Sequence, residues 1–284
     1  MKVLVIGASG MIGSTVLRVL ADRNDWQVQG TVRDASVKSL FPASLASKLI
    51  HGVDVMDPDT VVDLLGRFRA DVVINCAGLT KHKEESSNPL ACIAINALMP
   101  HRLAAACRLA HARLVHISTD CVFLGDRGGY NEFDLTDATD LYGKSKALGE
   151  VIDADSITLR TSTIGHELNS KYGLLEWFLS QQSRCIGFSR AIFSGLPTVT
   201  FAEVIRDVVI PRPQLAGIYN VAAAPINKLD LLTLIRDVYR KEIEIVEQID
   251  FSIDRSLDGT RFSEATGYVA PPWSELIRAM HAYC

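Results

Sequence analysis

The chain has 284 residues, 48% hydrophobic and 22% charged, with 29 Lys plus Arg against 33 Asp plus Glu and a net charge of −4. That length buries a sizeable core without disulfides or metals, and the acid-leaning balance supplies no basic field for a nucleic-acid backbone. The six cysteines (Cys76, Cys92, Cys107, Cys121, Cys185, Cys284) form no C-x-x-C pair and the seven histidines no H-x-x-x-H pair, so no metal site is expected and the thiols are read as reduced, in a cytoplasmic protein.

The N-terminal run "KVLVIG" is interrupted by Gly7, Gly10 and Gly13, too early for the apolar core of a signal peptide. No window approaches the ~18 to 20 apolar residues of a membrane span. The longest apolar-rich segment, residues 90–110, contains His101, Arg102 and Arg108 and is predicted to be a buried helix, with no membrane partner. Strands are predicted at "KVLVIG", "WQVQGTV", "DVVINCAG", "RLVHIS" and "SITLRTS", alternating with helical patterns over residues 11–23, 58–68, 88–110 and 140–152. This alternation predicts an α/β fold, a doubly wound parallel sheet of the Rossmann kind with right-handed crossovers. Beyond residue 165 the rhythm loosens into helices over 171–181, 201–209, 228–239 and 273–283, which predicts a smaller, helix-rich C-terminal lobe. The expected division is therefore a dinucleotide domain over 1–165 and a mainly substrate-binding lobe over 166–284, interleaved around 195–222, with ligands between them at the carboxyl ends of the strands.

The first strand ends in Gly7-Ala8-Ser9-Gly10-Met11-Ile12-Gly13 and runs straight into a helix. Glycines suit that place because the backbone must turn tightly and approach a pyrophosphate, whose charge the helix amides receive. At the end of the second strand Arg33 stands where an acidic residue would favour NAD; its guanidinium suits a 2′-phosphate, so NADP (NADPH) is the expected cofactor, with NAD as the alternative and Asp34 as the opposing signal. Asp54 and Val55 are placed to meet the adenine, and Cys76, Ala77 and Gly78 to pass beneath the cofactor.

The fifth strand ends "HISTD", projecting Ser118, Thr119 and Asp120 where the nicotinamide should lie, and "DLYGKSKALGE" then puts Tyr142 and Lys146 four apart, on one helix face. Together with "GASGMIG", "NCAG", "AINALMPHRLA", "LRTSTIG" and "GIYNVAAAPINKLDLL", these stretches run from end to end. The sequence resembles the extended short-chain dehydrogenase/reductases, and within them the dTDP-4-dehydrorhamnose reductase group acting on nucleotide sugars. The resemblance implies Thr119, Tyr142 and Lys146 as a catalytic triad, with Asn96 as proton-relay support. In that scheme Tyr142 is the acid, its pKa lowered by the Lys146 ammonium. Lys146 also holds the nicotinamide ribose, and Thr119 binds the carbonyl oxygen.

The pocket departs from the group's pattern: Cys121 follows Thr119-Asp120 where a tyrosine is common, and Thr161-Ser162-Thr163 replaces a Thr-Ser-Trp. Sugar 4,6-dehydratases carry a glutamate at the position of Cys121, so dehydration is disfavoured. Asp120, Cys121, Lys81 and His82 are candidate substrate contacts, a solvated basic loop being the other reading of Lys81 and His82; Trp177 is read as an apolar lobe contact. The expected activity is NADPH-dependent reduction of a nucleotide-linked 4-keto-6-deoxy sugar for surface polysaccharide, and a homodimer is compatible with it. Two alternatives stay open: an epimerase, and a non-catalytic NADP-binding regulatory subunit like the partner of methionine adenosyltransferase.

Overall fold

The computed structural model describes residues 1–80 and 87–283. In chain order its elements are β1 (Lys2–Ile6), α1 (Met11–Ala21), β2 (Gln27–Thr31), α2 (Ala43–Ala46), β3 (Leu49–Ile50), α3 (Pro58–Phe68), β4 (Val72–Asn75), α4 (Pro89–Cys92), α5 (Met99–Leu109), β5 (Arg113–Thr119), α6 (Leu141–Leu148) and β6 (Ser156–Thr161). There follow β7 (Thr163–Ile164), α7 (Leu174–Ser180), β8 (Arg184–Phe193), β9 (Leu196–Pro197), α8 (Thr198–Val204), β10 (Gly217–Asn220), β11 (Ile226–Asn227), α9 (Lys228–Val238), β12 (Glu244–Asp254), α10 (Thr260–Thr266) and α11 (Trp273–Ala282).

Seven parallel strands form the main sheet in the order β10-β6-β5-β4-β1-β2-β3. β1 is apolar without a break because both its faces are covered: Val3 and Val5 enter one core with α1, α8 and α11, whereas Leu4 and Ile6 enter a second with α3 and α5. The winding direction reverses between β1 and β4, and the crevice above their carboxyl ends is where such sheets take ligands. The doubly wound parallel sheet expected from the sequence is the sheet observed.

Two features differ from expectation. The C-terminal lobe holds a three-stranded sheet, β11-β8-β12, in which β8 and β12 run parallel with a bulge between Gln248 and Ser252. Most β12 side chains are exposed or half-buried, so the strand lacks the apolar alternation that marks one in sequence. Secondly, Pro89–Leu109 is one helical stretch of 21 residues, long and apolar enough to cross a membrane, which corrects the reading that no segment approaches that length. It packs as a core helix instead, burying Cys92, Asn96, Met99, Leu103 and Cys107. Its middle, Ile93–Leu98, is wound as a π turn in which the Met99 amide donates to the Ala94 carbonyl, five residues back.

The chain re-enters the main sheet late. β10 pairs with β6, and α8 lies against α1, where Thr15 Oγ1 donates to Thr198 Oγ1 at 3.3 Å. A cavity of about 460 Å³ opens beside β3 and α3, lined by Gln29, His51, Asp63 and Arg67 among others, away from the residues that carry the chemistry.

Candidate active site

At the end of β1 the chain turns through Gly7, whose φ of +79° only glycine adopts without strain and whose missing Cβ would press on the Ala77 backbone at 2.8 Å. A Cβ on Gly13 would lie 2.2 Å from the Gly7 carbonyl, so the loop and the start of α1 close on each other only as glycines. Gly10 is the N-cap of α1, no side chain caps the helix, and its first turn, from Met11, carries no acidic residue. Ser9 is exposed on the same loop and Ile12 is half-buried against the core. An uncapped helix end behind a tight glycine turn fits a pyrophosphate.

At the far end of this crevice Arg33 is exposed and forms no ion pair among the described residues. Asp34 is turned into the next element: its Oδ1 accepts the Ser36 amide at 2.8 Å, a bond that holds its carboxyl below the usual range. Asp54 is similarly occupied, capping the Met56 amide at 2.9 Å, and Val55 rests on the core beside Ile6 and Met99. Arg33 is thus an exposed cation at this edge that, among the described residues, is ion-paired with neither Asp34 nor Asp54.

The chemistry gathers at the ends of β4 and β5. Thr119 Oγ1 donates to Asp120 Oδ1 at 3.1 Å and accepts the Cys121 amide at 3.1 Å, and the Tyr142 phenol hydrogen-bonds the same threonine. Asp140 caps α6 through the Gly143 amide at 2.8 Å, which fixes the helix start that carries Tyr142. One turn on, Lys146 is 5% exposed; its Nζ donates to the Ile117 carbonyl at 2.8 Å and its charge acts on Cys76, which burial pushes up to about 12. Burial draws the lysine down to about 8, against the raising effects of Glu150 and Cys76. The phenol does not show the lowering expected from the ammonium. Burial pushes it above its ordinary value, the Cys121 charge adds to this, and the Thr119 hydrogen bond opposes it.

Asn96 sits in the π turn, 1% exposed, with its side chain fully engaged. Oδ1 accepts the Leu79 amide at 2.8 Å; Nδ2 donates to the Leu79 carbonyl at 3.1 Å and to Ser145 Oγ at 3.1 Å. It joins the segment following Gly78 to Ser145, the residue beside Lys146. Lys81 and His82 lie outside the described residues.

Two cations that sequence reasoning missed arrive from the C-terminal lobe. Arg255, just past β12, donates through Nε to the Phe123 carbonyl at 2.8 Å and brings Nη1 within 3.9 Å of Cys121 Sγ. Lys228, the first residue of α9, is lowered by burial and raised by the charges of Asp120 and Cys121. Asp120, 9% exposed, is raised by burial and opposed by hydrogen bonds from Thr119, Cys121 and Ser162 and by the Arg255 charge. This end of the site thus combines a thiol, a buried carboxyl and two basic groups. Trp177, on α7, is 37% exposed. Among the described residues no group of three or more His, Cys, Asp or Glu is placed to hold a metal, and Cys76, Cys92, Cys107, Cys121 and Cys185 are thiols rather than disulfides.

Comparison with known proteins agrees with this architecture. A probable low-salt glycan biosynthesis reductase of Haloferax volcanii is 33% identical over 235 residues, covering 81% of this chain and 71% of the relative. The dTDP-4-dehydrorhamnose reductase of Aggregatibacter actinomycetemcomitans is 24% identical over 99% of both chains. Among solved structures, dTDP-4-dehydrorhamnose reductase from Bacillus anthracis, in complex with NADP, superposes with a TM-score of 0.80 over 99% of both chains at 20% identity, a likeness of fold. The family model described as the RmlD substrate binding domain matches residues 1–182, and together with these relatives it shows that the chain belongs to that family of extended short-chain dehydrogenase/reductases.

Proposed function

We propose that this protein is an NADPH-dependent reductase of a nucleotide-linked 4-keto-6-deoxy sugar, working in the cytoplasm to supply polysaccharide biosynthesis. The observation that carries the reading is the hydrogen bond joining Tyr142 to Thr119 at the end of β5, with Lys146 one helical turn away and the uncapped glycine loop beside them. Residues 1–165 hold the cofactor. Residues 166–284 mainly close the sugar side, apart from α8 and β10, which return to the first lobe. The reductase named in Haloferax volcanii and the dTDP-sugar reductases among the relatives support the substrate class.

Gly7, Gly10 and Gly13 with the first amides of α1 would hold the pyrophosphate, and Arg33 the 2′-phosphate. The bound dihydronicotinamide would supply a hydride to the carbonyl carbon. The chain's own task is to bind, orient and protonate. Tyr142 gives its proton to the carbonyl oxygen, a step suited to a phenol that burial keeps protonated at neutral pH. Thr119 Oγ1 orients that oxygen, and Lys146 places positive charge beneath the forming alkoxide. Lys228 and Arg255 form a cationic wall on the sugar side, suited to a diphosphate.

The test is incubation with NADPH and a panel of nucleotide 4-keto sugars, following loss of nicotinamide absorbance and identifying the products. Reduction of a 4-keto-6-deoxy sugar is expected. Consumption of no member of the panel, with NADPH still bound, would favour the regulatory-subunit reading. Nucleotide glucose with NADP should stay intact, because Cys121 supplies no carboxylate to abstract the C5 proton.

A further inference from the structure

Two polar side chains lie in the middle of an apolar layer. Asn75, the last residue of β4, and His116 on β5 are paired in register, and both are 0% exposed. Alternation along the strands puts them on the face of the sheet that carries Leu4, Ile6, Val73 and Leu114, with Met99 of α5 packed against it. Groups of this kind are costly to bury unless something answers them.

Their hydrogen bonds leave one arrangement open. The Ala77 amide can only donate, and it lies 3.1 Å from Asn75 Oδ1, so that oxygen faces Ala77 and Nδ2 faces His116 Nδ1, at 3.0 Å. Nδ2 can also only donate, so Nδ1 is the acceptor, the ring is neutral and its proton sits on Nε2. Nε2 is buried and has no partner among the described residues, so the tautomer is set from the Asn75 side alone.

What the pair fixes lies beyond Asn75. The backbone ladder between β1 and β4 ends with the Cys76 amide on the Ile6 carbonyl at 3.0 Å, and the next amide, that of Ala77, is held by the Asn75 side chain instead. Ala77 faces the turn that follows β1: a Cβ on Gly7 would lie 2.8 Å from its Cα and its N, so the two loops meet backbone to backbone. A chain of contacts thus runs from His116 through Asn75 and Ala77 to the glycine loop.

We propose that His116 is a positioning residue for the dinucleotide: as the neutral Nε2–H tautomer it orients the Asn75 amide, which holds Ala77 against Gly7 where the glycine loop takes the pyrophosphate. The proposal deepens the NADPH reading and rests on it for the ligand. Leucine at position 116 suits the apolar layer but strands the Asn75 donor, which frees that amide to turn and release Ala77. Glutamine can offer an oxygen in place of Nδ1.

Two measurements test this. A long-range ¹H–¹⁵N NMR spectrum of the cofactor-free protein, with the His116 signals assigned by their loss in His116→Gln, should show a bare Nδ1 and a protonated Nε2; a proton on Nδ1 would overturn the proposal. Fluorescence titrations then compare the wild type, His116→Leu and His116→Gln with NADPH and NADH. His116→Leu should weaken both cofactors by about tenfold, the scale of one stranded buried donor, and by the same factor, since both carry the pyrophosphate. His116→Gln should recover most of that affinity. Binding like that of the wild type in His116→Leu, or an equal loss in His116→Gln, would overturn the proposal and leave the pair a matter of packing. A wild type that binds neither cofactor would overturn the nucleotide site and this proposal with it, an outcome distinct from the others.

Discussion

Replacing Lys146 by Met is expected to stabilise the protein at neutral pH while removing its activity, and to lose that advantage as the pH rises. The native lysine titrates at about 8 because it is buried, whereas an unfolded lysine titrates near 10.4. Between those values the unfolded chain binds more protons than the native one, so stability climbs with pH through this window. Below pH 8 the full cost is present, roughly 3 kcal/mol at 1.36 kcal/mol per pKa unit. By pH 10 it has shrunk to about 0.7 kcal/mol, since most unfolded lysines are still charged there and the native one is not. Methionine avoids the cost but loses the bond to the Ile117 carbonyl, about 1 kcal/mol. Lys146→Met should therefore gain about 2 kcal/mol at pH 7, and that gain should fall by roughly 2 to 3 kcal/mol between pH 7 and 10. Urea denaturation of both proteins at the two pH values measures this directly. A difference between them that does not change with pH would refute the assignment of a depressed lysine, whatever its sign at pH 7.

Arg33→Ala should weaken NADPH binding about tenfold and leave NADH binding nearly unchanged, a charge-assisted bond discounted for exposure; equal losses in fluorescence titrations with the two cofactors would sink the 2′-phosphate role. Tyr142→Phe should lower turnover by about 10² to 10⁴-fold with little change in NADPH affinity, and turnover like that of the wild type would remove Tyr142 as the acid. Asn96→Ala strands the buried amide and carbonyl of Leu79 and should cost about 3 kcal/mol in chemical denaturation; a neutral result would mean that these hydrogen bonds carry no load.

The first half of the molecule was legible because its signals are local. β1 reads as a strand from its own five residues, the glycine loop follows it directly, and Tyr142 and Lys146 need only helical spacing to meet. What escaped was set by distance along the chain. Lys228 and Arg255 sit in "INKLD" and "IDRSLD", where nothing local marks them, and they reach Cys121 only because the second lobe folds back over β5. β12 escaped because its exposed, charged side chains leave no apolar period to read. Asn96 had a signal of another kind: an amide in the middle of an apolar helix must be satisfied by something. Its partners, Leu79 and Ser145, lie 17 and 49 residues away, so the sequence could flag the residue but not its duty. Asp34, an argument against NADP on paper, has one carboxylate oxygen engaged by the Ser36 amide.

The π turn at Ile93–Leu98 gives the helix two phases. An α-helix turns by about 100° per residue, so one surplus residue sets everything before it out of step with everything after it. The downstream phase points Met99, Leu103 and Cys107 into the core, and the offset leaves Asn96 aimed at Leu79 and Ser145. Deleting a single residue here, such as Ala94, would close the helix into a regular spiral and swing the upstream half by that angle, with the Asn88 cap and the start of α4 carried along. One added residue can thus install a polar clamp in an apolar helix while the packing downstream keeps its register.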